Sequence, residues 1–224
     1  LGCEPTVTAP LGLDAPPEAA NARILRPQAA TPAWMVFMHA KPGTPSTPQI
    51  PSAIYLMNVF DQTTMTPLID DASFMDQFPD WSPQGDQIVF TRTPFPGSFD
   101  NAEIYIQDLK ADLTPDGAPY PLTNNTYLDM YPAWSPDGLK IAWRCRKDKV
   151  LCPGGISKPV NDICYVERPS LADSWGNVKN LTSSSCGDFT MEPAWSPKSD
   201  ELIYSKAKDN WKSVELYTVD LATR

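Results

Sequence analysis

The stretch Tyr131–Trp143, YPAWSPDGLKIAW, has two near copies in the same chain: FPDWSPQGDQIVF from Phe78 and EPAWSPKSDELIY from Glu192. Aligned on Trp81, Trp134 and Trp195, the copies lie 53 and 61 residues apart. A period of this length marks a repeat architecture, in which each supersecondary unit buries its apolar faces against its neighbours.

One copy, taken residue by residue, explains the spelling. YPAW is long enough for only a brief strand, and its proline removes a ladder donor, so it belongs where pairing on one side is dispensable. In SPDG, Pro136 presets φ for the second turn position, Asp137 suits the third and Gly138 the fourth, which predicts a hairpin. KIAWRC, QIVFTR and ELIYSK follow, with apolar centres rich in β-branched and aromatic residues, the pattern of strands covered on both faces. A third strand comes next (EIYIQDL from Glu103, DICYVER from Asp162, VELYTVDL from Val214), then short closers, YPLT ending at Thr123 and KNLT ending at Thr182. Each unit is therefore a four-stranded antiparallel meander. One such meander cannot bury two apolar faces alone, and twisted sheets stacked about an axis form a β-propeller. The recurrent tryptophans then fill the wedge between neighbouring units.

Composition agrees with an all-β chain. The 224 residues are 42% hydrophobic and carry 25 prolines against 11 glycines, which leaves little room for long helices. A net charge of −9 provides no clustered Lys and Arg to track phosphates, so nucleic acid is excluded as the expected partner. RCRKDK, Arg144–Lys149, reads as a solvated strand end. No apolar run of the roughly 18 residues a spanning helix needs occurs.

The unit PAWSPDGxKIAW…DIxYV…LT resembles the WD40-like repeat of TolB-type β-propellers, exported bacterial proteins that generally serve as protein-interaction platforms. The resemblance covers about Phe74 to Arg224; SPQG and SPKS depart from SPDG, and the internal loops are long. Upstream, WMVFMHA from Trp34, SAIYLMNV from Ser52 and MTPLI read as a degenerate first unit, and ARIL, Ala22–Leu25, as an innermost or closing strand. The expected organisation is a Pro/Ala-rich tether over 1–22 and blades over about 23–70, 71–123, 124–182 and 183–224. These four blades either close on themselves or belong to the six-bladed ring usual in the resembled family.

Leu1-Gly2-Cys3 resembles the lipobox of bacterial lipoproteins, which implies acylation of Cys3; the alternative is an unpaired thiol. The other cysteines, Cys145, Cys152, Cys164 and Cys186, contain no C-x-x-C pair, and the single histidine, His39, lies far away, so disulfides are favoured over zinc and with them an oxidising, exported setting. Blade topology places Cys152 and Cys186 in loops on one face, which pairs them. It leaves Cys145 and Cys164 on adjacent strands, close enough for a cross-strand bond.

No catalytic constellation is visible. His39 sits in a strand-like run, and neither a G-x-S-x-G elbow nor a P-loop occurs, so no enzyme activity and no cofactor are expected. SPDG lacks the spacing of a sialidase Asp-box. Asp76 and Asp129 precede equivalent inner strands and are weak candidates for a cation at a channel mouth, against the simpler reading that they cap turns in water. The expected function is a non-catalytic, exported interaction subunit of a membrane-associated or cell-surface assembly. The alternatives are the propeller of a longer prolyl oligopeptidase-like hydrolase, or a carbohydrate-binding propeller using exposed Trp175 and Trp211. A protein partner is expected on the longest loops between second and third strands, Thr93–Ala102 and Lys147–Asn161, with Phe95 and Phe99 as contacts.

Overall fold

Within each meander the strands pair in chain order, as short local connections dictate. The structure is a computed structural model that describes residues 33–40, 51–60, 65–152, 155, 157–208 and 212–222. The first meander comprises β1 (Trp34–Ala40), β2 (Ser52–Asn58) and β3 (Met65–Ile69); the second β4 (Phe74–Trp81), β5 (Gln87–Pro94), β6 (Glu103–Asp108) and β7 (Tyr120–Pro121). The third is β8 (Asp129–Trp134), β9 (Lys140–Leu151), β10 (Ser157–Glu167) and β11 (Lys179–Asn180), and the fourth β12 (Phe189–Trp195), β13 (Glu201–Lys208) and β14 (Ser213–Asp220). All pairings within a meander are antiparallel, and a single parallel bridge, Asn161 to Phe189, links the third to the fourth. Among the described residues there is no α-helix, only a 3₁₀ turn at Phe99–Asn101. The tether over 1–22, Cys3, Ala22–Leu25 and Trp211 lie outside the described residues.

The first strands are longer than the short P-x-W segments suggest. Phe78, Tyr131 and Glu192, each just before the repeat's proline, have φ of 52°, 59° and 51°, in the left-handed region. At each, the register with the following strand slips, between Gln77 and Asp80, Met130 and Ala133, and Met191 and Ala194. A β-bulge thus carries the residue–proline pair past the ladder, so the missing N–H interrupts the strand without ending it. In the turns, Gly85 and Gly138 both have φ of 74°, whereas Ser199 adopts 61° in the SPKS copy. Ser199 Oγ accepts the N–H of Asp137 at 3.0 Å, so the turns of the third and fourth meanders are bonded edge to edge.

Meander stacks on meander through the two faces of the second strands. Phe90 packs toward Ile54 and Leu56 of the first meander, while Val89, with Ile104 and Ile106, packs under Trp134 of the third. Trp195 repeats this against Ala142 and Ile163, and its indole N–H donates to Ala133 O at 3.0 Å. At about 25 cal/mol/Å², a buried aromatic of roughly 200 Å² contributes about 5 kcal/mol to such a junction.

The closers owe little to strand pairing, since β7 and β11 are two residues each. The threonine that ends each does the work. Thr123 Oγ1 donates to Glu103 Oε2 at 2.5 Å and accepts the Ile104 N–H at 2.9 Å. Thr182 Oγ1 donates to Asp162 Oδ1 at 3.0 Å and accepts the Ile163 N–H at 2.9 Å. Two residues further on, Asn125 N and Ser184 N donate to the same carboxylates, each at 2.7 Å.

Lys147–Asn161 is mostly strand rather than loop, because β9 runs to Leu151 and β10 starts at Ser157. Pro159 is accommodated where the register shifts between Lys158 and Val160, so a proline did not enforce a loop. Cys145 lies opposite Asp162 and Cys164 opposite Trp143, and a diagonal disulfide joins the two cysteines with Cα atoms 5.7 Å apart. A second, at 5.5 Å, ties Cys152 after β9 to Cys186 in the segment between β11 and β12.

Candidate interaction surface

The segment Thr93–Ala102 leaves β5 at Pro94 and is fixed at both ends. Phe95 N–H donates to Ser73 O at 2.7 Å, and Ala102 O accepts the Asp129 N–H at 2.8 Å. Between them, Ser98 Oγ caps the 3₁₀ turn by accepting the Asp100 N–H at 3.2 Å. Asp100 pairs with Arg146 Nη1 at 2.6 Å, and this bond holds its carboxyl below the usual carboxylate range. Arg146 belongs to β9, and its N–H donates to Leu128 O at 2.8 Å, so the segment is braced on the start of the neighbouring hairpin. Phe95 is half-buried, while Phe99 is 41% exposed. The two phenylalanines are thus unequal: only Phe99 faces solvent on the pinned turn.

The other site residues fall differently. Asp76 and Asp129 do not precede the inner strands but lie within β4 and β8, almost fully buried, and neither caps a turn in water. Asp76 accepts a bidentate pair from Arg92, at 2.7 and 2.9 Å, and Arg92 lies over the Phe74 ring at 4.4 Å. Burial nonetheless pushes the Asp76 carboxyl up. The Asp76 carboxylate is taken up by Arg92 and that of Asp129 accepts the Asn125 amide; among the described residues no group of three or more His, Cys, Asp or Glu is placed to hold a metal.

Trp175 is not an exposed sugar platform. Its ring is half-buried, 5.4 Å from the Trp134 ring, with the Arg168 guanidinium 4.4 Å above it. Arg168 in turn donates to Gly138 O at 3.0 and 3.2 Å, which makes this stack part of the junction core. His39 lies in β1, its ring 4.9 Å from that of Tyr55.

One cluster escaped the sequence. Glu103 and Asp129 accept from the same amide nitrogen, Asn125 Nδ2, at 3.4 and 2.7 Å. Burial pushes Glu103 up to about 7 and raises Asp129 as well. The signal was available: an acidic residue opens the third strand in two copies, and LT followed two residues later by a polar residue recurs with it.

These stacked antiparallel meanders, with first strands side by side and tryptophans wedged between them, define an all-β, propeller-type arrangement. Solved structures with this arrangement include TolB from Agrobacterium tumefaciens, at TM-score 0.53 and 21% identity over 76% of this chain and 53% of that one. TolB from Acinetobacter baumannii gives 0.54 and 21% over 77% and 36%, and a puromycin-hydrolyzing peptidase from Mycobacterium tuberculosis 0.55 and 15% over 85% and 28%. The likeness shows a TolB-like propeller fold, of which this chain spans about half or less of each compared chain's length. No family model and no curated protein matches the sequence.

Proposed function

We propose that the protein is a non-catalytic, exported propeller that binds another protein through the braced turn around Phe99 and the adjoining β9–β10 hairpin. The observation that carries this reading is the exposed aromatic on a turn whose backbone is pinned by Ser73, Ser98, Arg146 and Asp129. A preorganised aromatic loses little entropy on docking and is the usual form of an interface hot spot. The two disulfides support an oxidising compartment, the periplasm or cell surface, and Cys3 as a lipid anchor would place the protein at a membrane. The assembly it joins is then membrane-associated.

Further blades of the same repeat complete the ring. Ile203, Val214 and Leu216 are 41%, 56% and 72% exposed, whereas Val89, Ala102 and Ile104, which occupy the matching register positions of the second meander, are fully buried beneath the third.

Phe99→Ala combined with Phe95→Ala is expected to weaken binding of the native partner, purified after capture and identified by mass spectrometry, by about tenfold or more. The melting temperature should stay nearly unchanged. Retained binding with lost stability would assign both rings to the core. The peptidase likeness keeps a second reading, a propeller beside a hydrolase domain; a G-x-S-x-G segment elsewhere in the full reading frame would favour it.

A further inference from the structure

The crossover from the second to the third meander holds two carboxyl groups, and among the described residues no cation is paired with either. Glu103 of β6 receives Thr123 Oγ1, the Asn125 N–H and, at longer range, Asn125 Nδ2; Asp129 of β8 receives Asn125 Nδ2. The nearest cations are committed elsewhere. Arg92, opposite Glu103 in the ladder, is paired with Asp76. Arg146 is paired with Asp100, and Arg144, opposite Met130, lies over the Tyr131 ring at 5.2 Å and reaches Met130 Sδ.

The next crossover shows that two acids are not required by the fold. There Asp162 is in the place of Glu103, Thr182 of Thr123 and Ser184 of Asn125, but Thr190 replaces Asp129, and its hydroxyl donates to Asn161 O at 2.7 Å. Asp76 holds the place of Asp129 in β4 but is paired with Arg92, so two carboxyls side by side are particular to the crossover that also fixes Ala102, the last residue of the braced turn.

We propose that Glu103 and Asp129 form a proton-dependent clasp, closed while the pair shares one proton and loosened when both are ionised, so that rising pH frees the segment from Phe99 to Asp129. With one proton present, a carboxyl O–H can donate to its neighbour carboxylate, and Asn125 bridges the two. With none, two anions share the Asn125 side-chain amide in a site where like charges are weakly screened, and the hydroxyl and backbone donors of Glu103 do not reach between them. Glu103, raised to about 7 by burial, sets the range: its contribution to stability is complete below its ordinary value near 4.5 and is lost as pH rises through about 7. The clasp stands apart from the interface reading; only its effect on partner binding rests on that reading.

The test follows the Asn125 backbone and side-chain amides by NMR and the protection of residues 99–129 by amide hydrogen exchange, between pH 5.5 and 8.5, on the full chain with disulfides intact. Wild type should titrate with a midpoint near 7. Protection factors, corrected for intrinsic exchange, should fall by about fivefold or more across that range. Glu103→Gln, which mimics the protonated acid, should hold them within about twofold. Asp129→Asn should move the remaining titration of Glu103 downward, because a like charge is removed. An Asn125 titration absent above pH 5.5, or an unchanged pH profile in Glu103→Gln, would overturn the clasp. Partner affinity measured at the same pH values then separates the two readings: a clasp that titrates while binding stays flat refutes only its control of the interface.

Discussion

Replacing the closing threonines by valine tests the central packing device of the repeat. Thr123 is buried and its hydroxyl has two roles, acceptor for the Ile104 N–H at 2.9 Å and donor to Glu103 at 2.5 Å. Valine preserves shape but leaves a buried N–H without an acceptor, which costs about 1–3 kcal/mol, and removes a bond to a carboxyl worth about 1 kcal/mol. The added methyl surface returns at most about 0.8 kcal/mol. The net expectation is a loss of about 2–3 kcal/mol, or about 5–10 °C in melting temperature for a unit of this size. Thr182→Val should cost a similar amount, since Thr182 bonds Ile163 N and Asp162 in the same way. Serine at either position keeps the hydroxyl and should lose less than about 1.5 kcal/mol, the value of the missing methyl in a cavity. Urea denaturation monitored by tryptophan fluorescence, at pH 6 and without reductant, gives the differences directly, provided m is unchanged. If valine costs under about 0.5 kcal/mol, or serine costs as much as valine, the hydroxyl is not what secures the closing strand.

Two further perturbations are informative. The disulfides close segments of 19 and 34 residues, which in the chain-entropy account are worth about 3 and 4 kcal/mol; because the loops overlap, reducing both should cost less than the sum but lower the urea midpoint clearly, and an unchanged midpoint with all four thiols shown free by alkylation would contradict this. At Ser199, glycine relieves a left-handed backbone worth about 1 kcal/mol but gives up the bond from Asp137 N, so Ser199→Gly should be near neutral and Ser199→Ala, which keeps the strain and loses the bond, about 1 kcal/mol worse in the same assay.

The sequence by itself determined what depends on neighbours a few residues away. Pro83-Gln84-Gly85 and Pro136-Asp137-Gly138 specify their turns, IVF and IAW specify strands buried on two sides, and the spacing of Trp81, Trp134 and Trp195 specifies a stack of like units. These are local preferences repeated three times, and the repetition removes the ambiguity a single copy would carry. The tertiary structure decided whatever depends on which units meet. Asp76 and Asp129 read as turn caps only until Arg92 and Asn125 arrive beside them. Trp175 reads as exposed until Trp134 and Arg168 enclose it, and Lys147–Asn161 reads as a loop until β9 and β10 pair along it. The left-handed residue before each proline was equally invisible, since nothing in Phe78, Tyr131 or Glu192 favours that conformation; the bulge arises because the strand must stay paired on either side of a proline. Asp100 meets Arg146 across 46 residues, a separation at which local pattern carries no information and only the stacking of one meander on the next chooses the partner.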